Sequence, residues 1–163
     1  MIVVSDTSPV RGLIAIGKID LLQKLFSEVY IPKAVEAELL RIAFLKKEIS
    51  EFMKMPWVIV KAVSHDEAFD AIRNFLDEGE SEAITLAMSL HADLLLIDES
   101  RGRRIAKDNA LRPLGLIGVL LKAKKESHIS LIKPELDKLI HEHGFWLAPE
   151  FYKAILRAAG EEY

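Results

Sequence analysis

Four acidic side chains of this sequence stand where a small α/β protein would bring strand ends and helix starts together. Asp6 and Asp98 each directly follow a short apolar run that is typical of a buried strand. Glu38 and Glu82 fall in segments with a helical pattern. In an open parallel sheet, ligands bind in the crevice beyond the carboxyl ends of the strands. Four converging acids there could hold Mg²⁺ or Mn²⁺, so the pattern predicts a metal-dependent phosphodiesterase.

Two of these acids also have simple structural explanations. Asp6 opens the run Asp-Thr-Ser before a helix, which is ordinary capping chemistry. Glu38 lies alone on a helical pattern, where a glutamate usually faces solvent. Ser8 could hydrogen-bond a carboxylate or a water molecule, and it is equally suited to capping the helix. Both explanations stay open for each of these three residues.

The acidic run 77–82 is the most ambiguous part of the pattern. Acids at a helix start are favoured by the helix dipole, which would explain the whole run without a functional role. Glu82 opens a stretch of small and apolar residues that indicates close packing against the sheet. We therefore predict that Glu82 is the inward-facing acid and that Glu80 supports it.

Asp98 is followed within a few residues by three arginines, Arg101, Arg103 and Arg104. A carboxylate at a strand end could hold a metal ion while the neighbouring guanidinium groups bind phosphate. Alternatively, Asp98 begins a turn and the arginines pair with nearby acids at the surface. The five histidines are scattered and predict no competing site.

Alternating strand and helix patterns predict an α/β fold with a central parallel sheet of four to five strands and helices on both faces. After Asp6, a single helix is predicted to run to about Leu25, although Gly17 weakens its middle. We expect one α/β domain over residues 1–127. A helical C-terminal extension, 128–163, is expected to pack on the same domain.

Length and composition fit a cytoplasmic protein. With 163 residues, 50% of them hydrophobic, the chain can build one domain with a substantial core. It has no cysteine, which excludes disulfides, thiolate metal sites and cysteine nucleophiles. Its beginning lacks the features of a secretory signal. No apolar run approaches the roughly 18 to 20 residues that span a bilayer, so we expect no membrane association.

The charge balance argues against binding nucleic acid through a broad basic surface. The net charge is −3 and the pI is about 6.0. Bound cations would offset the clustered acids of a metal nuclease, however. Basic residues are also concentrated locally, in the stretches 101–107 and 122–125.

The four acid-bearing segments resemble those of the PIN-domain ribonuclease family, which includes the VapC-type toxins. They occur in the family's order over about two-thirds of the chain, in the stretches 3–8, 31–39, 82–87 and 94–98. The resemblance implies a three-layer α/β/α fold. It also implies that Mg²⁺ or Mn²⁺ is held by a set of catalytic acids, Asp6, Glu38, Glu82 and Asp98. Two departures are Glu82, where many members have Asp, and Leu96, where many have Thr or Ser.

The resemblance further implies cleavage of single-stranded RNA, with arginines on the phosphates and, in VapC-type toxins, restraint by a small antitoxin. The family often forms homodimers, and the aromatic residues at 145, 146, 151 and 152 could serve a dimer interface or cover the chain's own core. The main alternative is a catalytically inactive PIN-like module that binds nucleic acid or a protein partner. A receiver-like signalling domain fits less well, because Asp6 has no adjacent acid.

Overall fold

Five parallel strands form the central sheet in a computed structural model, which describes residues 1–161. In chain order the strands are β1 Val3–Ser5, β2 Val29–Pro32, β3 Val58–Lys61, β4 Leu94–Leu96 and β5 Pro113–Leu114. They lie side by side in the order β3-β2-β1-β4-β5, and every neighbouring pair is parallel. The predicted three-layer α/β/α arrangement with a parallel sheet is therefore confirmed.

The register at the centre of the sheet decides where the candidate acids emerge. Ser5 at the end of β1 lies opposite Leu96 at the end of β4, and the next amide, that of Asp6, donates to the Leu96 carbonyl at 2.9 Å. The two strands therefore end level with each other. Asp6 and Asp98 therefore lie at the same edge of the sheet, beyond the ends of two neighbouring strands.

Ten α-helices connect and cover the strands within residues 1–161, and a short 3₁₀ helix spans Ala43–Leu45. The α-helices are α1 Thr7–Ala15, α2 Asp20–Phe26, α3 Lys33–Leu40, α4 Lys46–Met53, α5 Glu67–Arg73, α6 Glu78–Ser89, α7 Ser100–Asp108, α8 Leu116–Lys125, α9 Lys133–Glu142 and α10 Pro149–Ala158.

The prediction of one continuous helix to about Leu25 is wrong. Helix α1 ends at Ala15 and α2 begins at Asp20. Between them Gly17 has a φ of +70°, and the next amide, that of Lys18, donates to the Leu13 carbonyl at 2.8 Å. Glycine tolerates this left-handed conformation and commonly ends helices in this way. The apolar pattern continues across the break because both helices cover the same core.

The core consists of two apolar clusters of buried side chains. The smaller cluster lies around α6 and includes Ile84, Leu95 and Ala106. The larger one joins β1 and the helices α1 to α4 and α8 to α10. The C-terminal extension contributes to it through Ile132, Leu136, Leu139, Ile155 and Leu156. Residues 162 and 163 of the predicted extension lie outside the described residues, and the predicted boundary at 127 stays a prediction.

None of the helices within residues 1–161 combines the length and the apolar character needed to cross a membrane.

Candidate active site

Asp6 lies at the point where β1 passes into α1, and its side chain is only 5% exposed. It occupies the N-cap position of α1 but makes no side-chain cap hydrogen bond. Its Oδ1 atom is buried and accepts no hydrogen bond from any residue in the range 1–161. Capping therefore does not explain this carboxylate. Ser8, the other capping candidate, lies exposed in the first turn of α1.

The environment of Asp6 opposes its negative charge. Its pKa is raised from 3.8 to about 7, chiefly by burial and also by the nearby charges of Glu38, Asp77 and Asp98, while the backbone of Thr7 acts in the opposite direction. A buried charge without a partner is unfavourable, and the group takes up a proton instead. Asp6 thus sits among like charges in a position that a cation would stabilise.

Glu38 reaches this cluster from the second half of α3. Its Oε2 atom accepts a hydrogen bond from the Thr7 hydroxyl, which follows Asp6 directly. Its carboxylate also lies against Gly79, where any added Cβ atom would overlap the Glu38 oxygens. Burial raises the pKa of Glu38, and the Thr7 hydrogen bond opposes this. A glycine at 79 is therefore what lets α3 and α6 bring acids together.

A cleft of about 410 Å³ lies between α3 and the start of α6. Acidic and basic side chains share its walls, which are formed by Lys33, Ala34, Ala37, Glu38, Arg41, Asp77, Glu78 and Glu82.

Asp98 is held on the other side of Asp6, beyond the end of β4. Its Oδ1 atom accepts a hydrogen bond from the Leu116 amide at 2.7 Å, at the start of α8. A Cβ atom on Gly115 would lie 2.9 Å from the same oxygen. Burial raises the pKa of Asp98, while the Leu116 amide and the Arg103 charge lower it. The close approach fixes Asp98 against the α8 start.

The two glutamates at the start of α6 occupy different environments. Glu80 is 6% exposed, and its Oε2 atom is buried without a hydrogen-bond partner among residues 1–161. Burial, a hydrogen bond with Asp77 and the charges of Asp77, Asp6 and Glu99 together raise its pKa to about 9, and burial has the largest effect. Gly102 leaves room for this side chain, since a Cβ there would lie 3.0 Å from Oε2.

Glu82 is equally buried, at 5% exposure, but both of its oxygens are used. Oε1 accepts a hydrogen bond from the Ala34 amide at 2.9 Å, and Oε2 lies 2.6 Å from His65 Nε2. The His65 ring stacks on Phe69 with their centroids 3.7 Å apart. Glu82 thereby joins α6 to the first turn of α3 and to the segment before α5.

A second group of possible metal ligands surrounds Glu82. Ligand atoms of His65, Glu78 and Glu82 all lie within 4.8 Å of one another. The sequence analysis predicted no metal site that involves a histidine, and this group of three places His65 next to Glu82. Imidazole nitrogen with carboxylate oxygens suits Zn²⁺ or Mn²⁺ better than Mg²⁺.

The three predicted phosphate-binding arginines lie on α7 and point into different surroundings. Arg103 is half-buried and lines a cavity together with Asp98 and Ser8. Arg104 is exposed and lines a shallow basic depression with Ser100, Arg103 and Lys107. Arg101 is exposed, and its guanidinium donates to the Phe75 carbonyl at 3.4 Å. Of these three arginines, Arg103 is the one that lies beside a candidate acid, Asp98.

A divalent cation fits the donors around Asp6. Within residues 1–161, three carboxylate oxygens are buried and unpartnered, and two of them belong to this cluster, Asp6 Oδ1 and Glu80 Oε2; the third is Glu135 Oε2 on α9. Hard cations of this kind prefer carboxylate oxygens. Burial, and then repulsion between the acids, raises the pKa of Asp6, so a positive charge there would stabilise the ionised state.

Sequence reasoning missed two residues that arrange these acids. Thr7 donates to Glu38, and Asp77 caps α6 by accepting the Glu80 amide at 2.8 Å. Asp77 could have been found, because an Asp three residues before a glutamate at a helix start is a capping pattern. For Thr7, the run of hydroxyl residues after Asp6 was the only signal, and it indicated capping equally well.

Comparisons with known proteins agree with this geometry. The family model DUF3368, described as a PIN domain, matches residues 2–161 of this chain. No curated protein matches it. A similar solved structure is that of a PilT N-terminus domain protein from the hyperthermophilic archaeon Sulfolobus solfataricus P2. It is 21% identical with a TM-score of 0.55, and the match covers 75% of this chain and 92% of that chain.

At that identity the structural likeness concerns the fold alone. The family model, in contrast, spans nearly the whole chain and includes every candidate acid. Proteins with this domain are generally metal-dependent nucleases. With a parallel sheet, acids gathered beyond its central strands and a matching family model, this chain belongs to the PIN-domain family.

Proposed function

We propose that this chain is a divalent-metal-dependent endoribonuclease that cleaves single-stranded RNA. The observation that carries the proposal is the Asp6 carboxyl group, which is buried, has an unpartnered oxygen and is surrounded by other acids. A structural carboxylate would be expected to have hydrogen-bond donors around it. A carboxylate that awaits a cation would be surrounded by further ligands, as Asp6 is.

The proposed metal-binding residues are Asp6, Glu38, Asp98 and one glutamate of α6. For that fourth position we propose Glu80. Its Oε2 atom has no hydrogen-bond partner within residues 1–161, and the charge of Asp6 is among the causes that raise its pKa. Glu82 instead has both oxygens engaged. This exchanges the roles that the sequence analysis expected for the two glutamates. When bound, Mg²⁺ or Mn²⁺ would supply positive charge that stabilises the phosphate oxygens and makes a water molecule more acidic.

The chain's own residues hold these ligands in position. The Thr7 hydroxyl orients Glu38 through its hydrogen bond, and the Leu116 amide orients Asp98 at 2.7 Å. Glu82 keeps α3 against α6 by accepting the Ala34 amide. Arg103, beside Asp98, is placed to bind a phosphate oxygen of the substrate.

The finer expectations follow from the family and remain part of this proposal. VapC-type members of the family are toxins, so we propose that a small antitoxin protein restrains this activity in the cytoplasm. A homodimer is the proposed assembly. Exposed apolar side chains available for such contacts include Leu40, Phe44, Leu131 and Trp146.

The test is cleavage of a labelled pool of single-stranded RNA in the presence of Mn²⁺ or Mg²⁺. Wild-type protein should cut, and Asp6→Asn, prepared identically, should not. Asp70→Asn, which changes an exposed acid of α5, is the matched control and should cut normally. If wild type and Asp6→Asn both bind RNA and neither cuts it, the chain is an inactive PIN-like binding module instead.

A further inference from the structure

A largely apolar cavity of about 580 Å³ opens directly beside Asp98. One end of it is polar and is lined by Ser8, Asp98, Glu99 and Arg103. The rest runs between α8 and the C-terminal segment. We call this cavity the aromatic groove, and its apolar walls are Ile117 and Leu121 of α8 together with Phe145, Leu147 and Phe151.

The walls of the aromatic groove include two phenylalanine rings. Phe145 is half-buried and packs against the core, whereas Phe151, in the first turn of α10, is 52% exposed. Tyr152, next to Phe151, also packs against the core and donates its hydroxyl to Asp137 at 2.6 Å. The Phe151 ring therefore faces an open space of molecular size next to a candidate catalytic acid.

Basic side chains flank the aromatic groove at both ends. Arg103, at the polar end, also lines the basic depression with Arg104 and Lys107. Leu121, at the far end, also lines a depression whose basic residues are Lys122, Lys124 and Lys125. Of these, Lys122 pairs with Glu126 and Lys124 with Glu161. Lys125 is exposed and supplies positive charge at the far end, and Arg103, Arg104 and Lys107 supply it near the polar end, beside Asp98 and Glu99.

Apolar rings between two basic regions suit one class of ligand in particular. Single-stranded nucleic acid offers unstacked bases that pack on aromatic side chains, and phosphates at both sides of each base. An apolar helix of a protein partner would use the groove but gain nothing from the basic ends. A cavity of this size also exceeds the lower limit of typical small-ligand sites, about 300 Å³.

We propose that the aromatic groove binds an unstacked base of single-stranded RNA next to the scissile phosphate. The inference rests on the proposed nuclease function and names its substrate-binding surface. In this arrangement Phe151 stacks on the base, Arg103 contacts the phosphate nearest Asp98, and the lysines at the end of α8 contact phosphates further along. The C-terminal segment is then part of the substrate site as well as of the core.

The experiment compares two labelled probes in the Asp6→Asn background, where cutting is blocked. One probe is a short single-stranded RNA, and the other is an abasic ribose-phosphate chain of the same length. Phe151→Ala should weaken RNA binding by roughly 5- to 100-fold, because stacking on one aromatic residue contributes that much. It should leave binding of the abasic chain unchanged. Phe75→Ala removes an aromatic ring that is 63% exposed and lies away from the groove, and should change neither.

Lys125→Ala should weaken both probes equally and lower the salt dependence of binding by roughly one unit of slope. Unchanged RNA affinity in Phe151→Ala would overturn the base-binding role, even if wild type cuts RNA normally. The role would also be overturned if Phe151→Ala lost dimerisation or binding of a protein partner while its RNA affinity stayed intact. Base-dependent binding that is lost in Phe151→Ala, with no cutting by wild type, would support the groove and refute the nuclease function.

Discussion

Glu80 and Glu82 are two residues apart on the same helix and are equally buried, yet their surroundings differ. Both oxygens of Glu82 have partners, the Ala34 amide and the His65 ring. Glu80 keeps an oxygen without a partner among residues 1–161, and burial and nearby acids raise its pKa to about 9. Residues two apart face different sides of a helix, so α6 presents one glutamate to α3 and the other to Asp6.

Hydrogen-bond partners distinguish a structural acid from a functional one. A buried carboxylate with all of its hydrogen bonds stabilises the fold, whereas an unpartnered one is costly until something binds it. This unfavourable free energy is offset where a ligand binds the carboxylate. Acids with shifted pKa values are therefore concentrated at functional sites. Burial alone, which is the same for both residues, does not separate them.

The largest expected effect is on catalysis. Glu80→Gln should lower the rate of RNA cleavage by at least about 100-fold. Changing a residue that only supports a metal ligand costs up to about 100-fold, and a ligand should cost at least as much. Glu82→Gln should lower the cleavage rate by less than about tenfold when the rate is calculated per folded molecule. Single-turnover cleavage with saturating Mn²⁺ measures both. If Glu82→Gln were the more damaging change, the assignment of the two glutamates would be reversed.

The next effect is on the pH dependence of stability without metal. The folded pKa values of Asp6 and Glu80, about 7 and about 9, lie above their unfolded values. Between the unfolded and folded values the folded chain binds more protons, so its stability falls as the pH rises through that window. Chemical denaturation across this range should show the decline.

Glu80→Gln should flatten that decline, because an amide imitates the protonated acid and can still donate to Asp77. Glu82→Gln should retain the full slope, which makes it the matched control. Adding Mn²⁺ should reverse the trend in the wild type, since the ion binds the ionised acids. A slope that is identical in Glu80→Gln and wild type would show that Glu80 is not protonated in the folded chain.

A smaller effect is expected from Glu82 itself. Glu82→Gln should lower the free energy of unfolding by about 1 to 3 kcal/mol, because a charged acceptor is lost from the Ala34 amide and from His65. The thermal midpoint and the denaturation midpoint both report this. Unchanged stability would mean that neither hydrogen bond holds α6 to α3, and the contrast with Glu80 would disappear.

The smallest effect is expected for the partner of Glu82. His65→Ala should cost less than about 1 kcal/mol, because the His65 side chain is 45% exposed and water screens its interaction with Glu82. RNA cleavage should stay within about twofold of wild type. A large loss of activity that Zn²⁺ or Mn²⁺ concentration modifies would instead give the His65, Glu78 and Glu82 group a role in metal binding.

The general fold could be predicted because its determinants are local. Short apolar runs marked the strands, and alternation with helical patterns gave a parallel sheet with helices on both faces. The break at Gly17 was harder to predict, since α1 and α2 cover the same core and their apolar pattern continues through it. The spacing of apolar residues indicates which side of a helix is buried. It does not indicate a change of direction between two helices that cover the same core.

The shared position of Asp6 and Asp98 at one edge of the sheet could be inferred from sequence, because each lies within two residues of a strand end and parallel strands end on the same side. Which glutamate of α6 faces them is set by packing. That choice depends on the rotation of α6 against α3, which is set by contacts distant in sequence, such as Gly79 against Glu38 and the Ala34 amide on Glu82. The aromatic groove has the same origin, because it forms only where α10 packs beside α8.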